Sequence, residues 1–374
     1  MVPRLIYNDD SYVSFPRFVD RSLLLHEAPV IETLHFKLGL KSGAVDIGVW
    51  TRTAVKRVVR ELIIEIECSE ASSVIVPRSL YTEFSMLVSL KLSKVILVDV
   101  TCPISFPSLK KLSLVFVKYP GDGFVQTMLS NCSVLESLYV EQCPDDNVTI
   151  FTVKVPSLKS LFLERLDFAD IEAGYVIDAP SLESFEILTI NDRGFCIIEN
   201  EMPNIVYASV DVAYSNYGNI LSCITWVKRL TLCISSPENA YPVGSIFCCL
   251  VYLEILTWEK EWLNLLMRVL RDSPNLRALT LDQEHSLEDQ PRPCWIEPSS
   301  VPECVITSLE TFELTDYEGA EEEKEVISFI LRNAKCLKKA TISTECTDPN
   351  KKLKMLKELS LFTRRSPTCQ LEFD

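Results

Sequence analysis

The chain has 374 residues, with 52 acidic against 37 basic side chains, a formal charge of −15, 47% apolar and 24% charged residues. That acidity argues against nucleic acid as a partner, because holding a polyphosphate needs a positive surface that releases counterions. The apolar share suits a continuous core rather than long disorder.

No apolar run approaches the roughly 18 residues that span a bilayer; the richest, 247–258, contains Glu254. The first ten residues hold no stretch of signal-peptide length. The expected setting is therefore cytosol or nucleus, with no membrane partner. Fourteen cysteines are scattered singly, many at apolar positions, Cys249 before Leu250 and Cys336 before Leu337 among them. In a reducing compartment such residues are expected to act as small buried hydrophobes rather than as a disulfide framework.

In chain order the dominant signal is a recurring phrase: an apolar anchor, two variable residues, then apolar, variable, apolar. It occurs thirteen times, anchored at Ile31, Val59, Leu87, Leu109, Leu135, Leu158, Leu182, Ile205, Val227, Leu250, Leu276, Leu309 and Leu337. Successive anchors lie 22 to 33 residues apart. This period and the L-x-x-L-x-L core are those of leucine-rich repeats, in which each unit lays one short strand on the inner wall of an arc. The expected fold is an α/β leucine-rich-repeat solenoid, strands on the concave side and helices or loops on the convex side.

A helix is expected around Asp46 to Val55. Three stretches, 125–140, 266–281 and 327–342, show helix then strand at full strength. Val125/Met128/Leu129, Leu266/Val269/Leu270 and Ile327/Ile330/Leu331 have the spacing of a helix burying one face. Asn131, Asp272 and Asn333 can end these helices, and Pro274 stops the second. Elsewhere Pro29, Pro107, Pro156, Pro180 and Pro203 sit two residues before an anchor and suit strand entry. Units from Val153 to Ser235 show no obvious helix, so loops and short turns are expected there. Near the end, Glu321-Glu322-Glu323 opens a helix whose positive end it complements. A basic helix is expected over Lys351 to Leu361 with Leu353, Leu356 and Leu359 on one side, and 369–373 alternates as a last strand.

Several late segments resemble the FBD domain of plant F-box proteins. They are Val301-Pro302-Glu303-Cys304, Ser308-Leu309-Glu310-Thr311-Phe312-Glu313-Leu314, Tyr317-Glu318-Gly319, 321–325, 331–338, Ala340-Thr341-Ile342-Ser343 and the ending Cys369-Gln370-Leu371-Glu372-Phe373. Upstream, 18–26 and Val59-Arg60-Glu61-Leu62 look like the leucine-rich region that accompanies it. The resemblance implies irregular repeats over 1–292 and an FBD domain over 293–374 (core about 294–345) that continues the stack. It also implies the recognition part of a ubiquitin-ligase substrate receptor. In that family an F-box precedes the repeats and docks a Skp-type adaptor. Here residues 1–5 look like the segment just after it, and no F-box is detected, so adaptor binding is expected only if an F-box lies upstream. The alternative is an F-box-less binding or decoy protein with no ubiquitination role.

Catalytic and cofactor chemistry finds little support. The three histidines, His26, His35 and His285, are dispersed, and no C-x-x-C pair occurs. Gly121-Asp122-Gly123 lacks the third glycine of a dinucleotide loop and reads as a turn, and no G-x-S-x-G elbow is present. No cofactor, metal or enzymatic activity is expected.

The candidate site is instead a wall for protein partners. In each phrase the two residues flanking the last apolar position should point outward, because strand side chains alternate. From the fifth phrase on, these eighteen positions hold Glu141, Glu164, Glu186, Asp211, Glu254, Asp282 and Glu313 and no Lys or Arg, against about 2.5 acids and about 1.8 bases at the chain's average composition. Tyr139 and Phe162 sit beside Glu141 and Glu164. Aromatics among acids suit a basic, partly apolar protein segment.

Overall fold

The computed structural model describes residues 4–9, 15–28, 30–39, 44–66, 74–99, 103–166, 172–190, 193–212, 218–234, 245–256, 262–282 and 298–374. The chain forms two compact units, Met1–Met202 and Pro203–Asp374, so the division falls inside the stretch expected to be repeats.

In the first unit the elements are β1 (Arg4–Asn8), α1 (Phe15–Leu25), β2 (Thr33–Leu38), α2 (Ala44–Lys56), β3 (Glu61–Ile66), β4 (Val74–Ile75), α3 (Ser79–Thr82), β5 (Ser89–Ser93), β6 (Val95–Ile96), β7 (Lys111–Val117), α4 (Asp122–Ser130), β8 (Ser137–Gln142), β9 (Ile150–Lys154), β10 (Ser160–Arg165), β11 (Gly174–Asp178), β12 (Ser184–Thr189) and β13 (Phe195–Ile198). The main sheet has the order β1-β2-β3-β5-β7-β8-β10-β12, and its recorded pairings are parallel.

The second unit contains β14 (Tyr207–Val212), α5 (Gly218–Cys223), β15 (Arg229–Ile234), β16 (Tyr252–Leu256), α6 (Trp262–Arg271), β17 (Ala278–Asp282), α7 (Glu303–Thr307), β18 (Thr311–Leu314), α8 (Glu321–Asn333), β19 (Lys339–Ile342), α9 (Pro349–Ser360) and β20 (Gln370–Phe373). Its strands also run parallel, in sequence order. Among the described residues no helix is long and apolar enough to cross a membrane.

Each of the thirteen phrases delivers a strand that begins two residues after its anchor, and every anchor is at most 2% exposed. The turn before the anchor is closed by its own amide: Leu109 N donates to Phe106 O (3.3 Å), Leu158 N to Val155 O (3.1 Å) and Leu182 N to Ala179 O (3.2 Å). Pro107, Pro156 and Pro180 occupy the second position of these turns, where a preset φ is favourable. Pro29 lies outside the described residues. The carbonyl just after the anchor then accepts two amides from the next repeat. Lys110 O takes Glu136 N (2.8 Å) and Ser137 N (2.9 Å), and Glu136 O takes Lys159 N (2.9 Å) and Ser160 N (3.0 Å). This shared acceptor sets the register, since a one-residue slip would turn every buried side chain outward.

The expected helices over 46–55, 125–130, 266–271 and 327–333 are present as parts of α2, α4, α6 and α8. Asn131 Nδ2 donates to Thr127 O (2.8 Å) and Asn333 Nδ2 to Phe329 O (2.9 Å), so these helices end by side-chain bonding to the last carbonyls. Gly121-Asp122-Gly123 opens α4, with the Asp122 carboxylate accepting from Thr149 N (2.9 Å) and Thr149 Oγ1 (3.1 Å). Of the acidic run, Glu323 does the capping. Fully buried, it accepts from the amides of Gly319 and Ala320 (both 2.7 Å).

Three expectations need correction. The stretch 153–235 is not loops and turns alone. Parts of it, with β9, form a second parallel sheet of order β13-β11-β9, and α5 follows. Phe151, Val153, Tyr175 and Ile177 on that sheet are buried, which supplies the apolar contact a helix would otherwise bring. Gly174 is needed there, because a Cβ would lie 2.1 Å from Phe195 O. Helix α9 buries Met355 and Leu359, whereas Leu353 is 50% and Leu356 41% exposed, since the i, i+4 pair and not the leucine series faces the core. Cys336 is exposed and Cys249 half-buried, while Cys132, Cys196, Cys233, Cys304 and Cys369 are buried. Burial pushes the Cys132 and Cys304 thiols up to about 12, so they stay protonated and unreactive. Beyond the thirteen phrases, β1 adds a rung ahead of the first, pairing Arg4 with Thr33 and Ile6 with His35.

Candidate protein-interaction face

Along β8, β10 and β12 burial alternates, so residues two, four and six positions after the anchor face outward. On β8, β10 and β12 the register aligns them as three rows of three. Ser137, Ser160 and Ser184 form the first, Tyr139, Phe162 and Glu186 the second, and Glu141, Glu164 and Leu188 the third. The structure thus brings together five of the nine expected residues. The Tyr139 and Phe162 rings stack with centroids 4.4 Å apart and planes 6° apart. This is the offset or face-on contact that parallel neighbours at strand spacing allow.

The Tyr139 hydroxyl donates to Glu141 Oε1. Burial, that bond and the charges of Glu141, Glu164 and Glu186 hold the phenol well above its ordinary range. Burial and the Glu141 charge raise the Glu164 carboxyl, and burial raises Glu186. Glu141 and Glu164 are directly opposite across the ladder, an arrangement of like charges that costs stability. No ion pair to any of these three acids is found among the described residues.

The other four expected residues do not gather. Asp211 on β14 faces Cys233, and Glu254 on β16 is separated from Glu313 on β18 by Thr280. Thr231 Oγ1 donates to Glu254 Oε2 (2.9 Å), and Thr315 Oγ1 donates to Asp282 Oδ1. Glu254 and Asp282 are thus bonded to neighbouring hydroxyls rather than gathered with the other acids. A third outward row, two residues after the anchor, also brings bases to this unit. Arg229 lies 4.6 Å from the Tyr252 ring centroid, and Lys339 pairs with Glu372 (2.8 Å). The absence of bases therefore holds for the two rows first counted, not for the whole face.

Behind the acidic rows sits a polar seam that the phrase pattern did not flag. Gln142, Arg165 and Thr189, each seven residues after an anchor, turn inward and are buried. Arg165 Nη1 donates to Val148 O (3.4 Å), and neither polar atom of the Gln142 side chain has a hydrogen-bond partner. Asp146 Oδ1 accepts from Tyr119 N (3.4 Å), and burial, opposed by three backbone amides and Arg165, leaves its carboxyl raised to about 6. Parity from the anchor was the available signal, since three, five and seven residues on all face the core.

A parallel ladder of repeat strands with an open polar face defines a class, the leucine-rich-repeat proteins that work by contact. Among the described residues no group of three His, Cys, Asp or Glu could hold a metal ion. Two family models match: FBD over residues 297–342, and the LRR repeats of FBD-associated F-box protein At5g56370 over 47–199. Probable FBD-associated F-box protein At1g32375 of Arabidopsis thaliana is 58% identical over 100% of this chain and 91% of its own length. Putative FBD-associated F-box protein At5g50270 is 53% identical over 95% and 90%, and F-box/FBD/LRR-repeat protein At5g56420 is 44% identical over 100% and 90%, both from the same plant. The chain belongs to the FBD-associated F-box protein family. The names of these relatives are those of interaction modules rather than of enzymes.

Proposed function

We propose that this chain is the recognition part of an SCF-type ubiquitin-ligase receptor and that its β8–β10–β12 face receives a basic, partly apolar segment of a protein target. The observation that carries the reading is the cross-strand carboxylate pair Glu141–Glu164 beside the stacked Tyr139–Phe162 rings, with no cation paired to either acid among the described residues. A Lys or Arg side chain from a partner would relieve the repulsion, and its methylenes would cover the rings. Aromatic residues at the centre of a polar rim are also where interface energy concentrates. The names of the relatives support the receptor role. A reducing setting, cytosol or nucleus, and the curved arc expected from the repeat spacing are parts of the same proposal. So is the division into repeats over 1–292 and an FBD domain over 293–374.

The test is binding of an array of Lys/Arg-bearing peptides to the protein and to a triple variant, Glu141→Gln, Glu164→Gln and Glu186→Gln. Affinity should fall about tenfold or more in the variant and weaken steadily with salt. Affinity indifferent to both changes would place recognition elsewhere. The ligase role is tested separately by co-purification of the full gene product with a Skp-type adaptor; a binder that never recruits the adaptor would be the decoy alternative.

A further inference from the structure

The acidic face is not the only surface laid out by the repeat. Residues one position after the anchor lie along the edge where strands begin, and their carbonyls are the shared acceptors described above. On consecutive rungs these are Arg60, Val88, Lys110, Glu136 and Lys159, linked by Val88 N to Arg60 O (2.7 Å), Lys110 N to Val88 O (2.8 Å), Glu136 N to Lys110 O (2.8 Å) and Lys159 N to Glu136 O (2.9 Å). A groove of about 820 Å³ runs along this edge, lined by these side chains and by Met86 and Val134. Met86 is 54% and Val134 38% exposed.

Three cations and one acid line this groove in a chain of net charge −15. Lys110 pairs with Glu136 (2.9 Å). Among the described residues the Arg60 and Lys159 side chains make no ion pair. Glu183 on the next rung, whose amide bonds Lys159 O (2.8 Å), ends the basic row. The cations occupy alternate rungs, and neighbouring strands lie about 4.8 Å apart, so successive cations are about 10 Å apart along the edge. A peptide in the extended polyproline II form rises about 3.1 Å per residue with three residues per turn, so side chains three positions apart share one face about 9 Å apart. Met86 and Val134 offer apolar surface between the charges.

We propose that this edge binds an extended acidic segment of a partner protein, with carboxylates three residues apart and apolar side chains between them. The site is separate from the acidic face, so the two can fail independently. The probe is a fluorescein-labelled peptide, Glu-Val-Thr-Glu-Val-Thr-Glu, followed by anisotropy against the full chain. A control peptide carries the same residues with the glutamates adjacent.

Reversing two exposed charges, Lys110→Glu with Lys159→Glu, should weaken the spaced peptide about tenfold, and Arg60→Ala should weaken it severalfold. Raising salt from about 0.05 M to about 0.5 M should weaken it as well. Circular dichroism of the exposed-site variants should match the parent, and the Glu141, Glu164 and Glu186 to Gln variant should bind as the parent does. No binding by the parent, equal binding by the control peptide, or undiminished binding by the double variant would overturn the proposal. So would competition by inorganic tripolyphosphate at equal concentration, which would make the row a general anion trap.

Discussion

The first rungs and the middle rungs of the same sheet share a backbone and a register but treat charge in opposite ways. On β2, β3 and β5, Glu65 is held by His35 (2.9 Å) and Lys91 (2.7 Å), and Thr33 Oγ1 donates to Glu61 Oε2 (2.8 Å). On β8, β10 and β12, two carboxylates face each other with no cation paired to them among the described residues. Between them, β7 meets β8 through a register shift at Val115/Val117, with Phe116 in a left-handed conformation (φ 50°). A bulge of this kind twists and re-aims the strand it interrupts. The first region spends its charges on holding repeats together. The second leaves Glu141 and Glu164 without an ion pair among the described residues, at a cost to the isolated protein, and the proposed contact surface rests on that feature.

The strongest way to break the comparison is to attack what the regions share. Leu34 and Leu161 occupy equivalent buried positions, 0% and 1% exposed. Leu34→Asp and Leu161→Asp should each cost about 4 kcal/mol or more, because an unpaired carboxylate would sit in the core. Thermal melts followed by circular dichroism check this, and an unchanged melt for either variant would remove the common register.

A middle-sized effect belongs to the seam behind the second region. Asp146 rises from 3.8 to about 6 in the folded chain. A carboxyl raised on folding contributes stability that is complete below its unfolded value and is lost as pH rises through about 6. Asp146→Asn should therefore stabilise the protein at pH 7.5 by up to about 2–3 kcal/mol and flatten the dependence between about pH 4 and 7. The same pH slope in parent and variant would show that the carboxyl is solvated.

The smallest effect has opposite signs in the two regions. Burial pushes Glu65 upward, but the bonds from Lys91 and His35 outweigh it and hold its carboxyl below the usual range. Its stabilisation is present at neutral pH and lost on acidification. Glu164 and Glu186 are raised, so acidification relieves them. At pH 7, Glu65→Gln should lower the melting temperature, whereas Glu164→Gln with Glu186→Gln should raise it, each within about 1 kcal/mol. Shifts of the same sign would erase the contrast.

The sequence made the ladder legible because its signal is local. Six residues from anchor to last apolar position carry both the turn and the parity, and thirteen copies average out the loose ones. The Glu141, Glu164 and Tyr139, Phe162 cluster followed from that parity. What stayed hidden depends on partners 22 to 30 residues away, such as Glu65 with His35 at a separation of 30. The second sheet was misread although Ile150-Phe151-Thr152-Val153 alternates, because a short apolar run between anchors also fits a loop. Arg229 and Lys339 stand in the row two residues after the anchor, outside the pair of positions that flank the last apolar residue of the phrase.

The constant distance from anchor to strand has a consequence for how this architecture can change. Anchors are 22 to 33 residues apart, yet every strand begins two residues after its anchor. The variation in length falls between one strand and the next anchor, and among the described residues those connections include helices such as α4 and strands such as β11. Closing a longer loop costs only about 0.6 kcal/mol per doubling. Insertions in these connections leave the distance from anchor to strand untouched, so the connections can diversify while neighbouring strands keep their register.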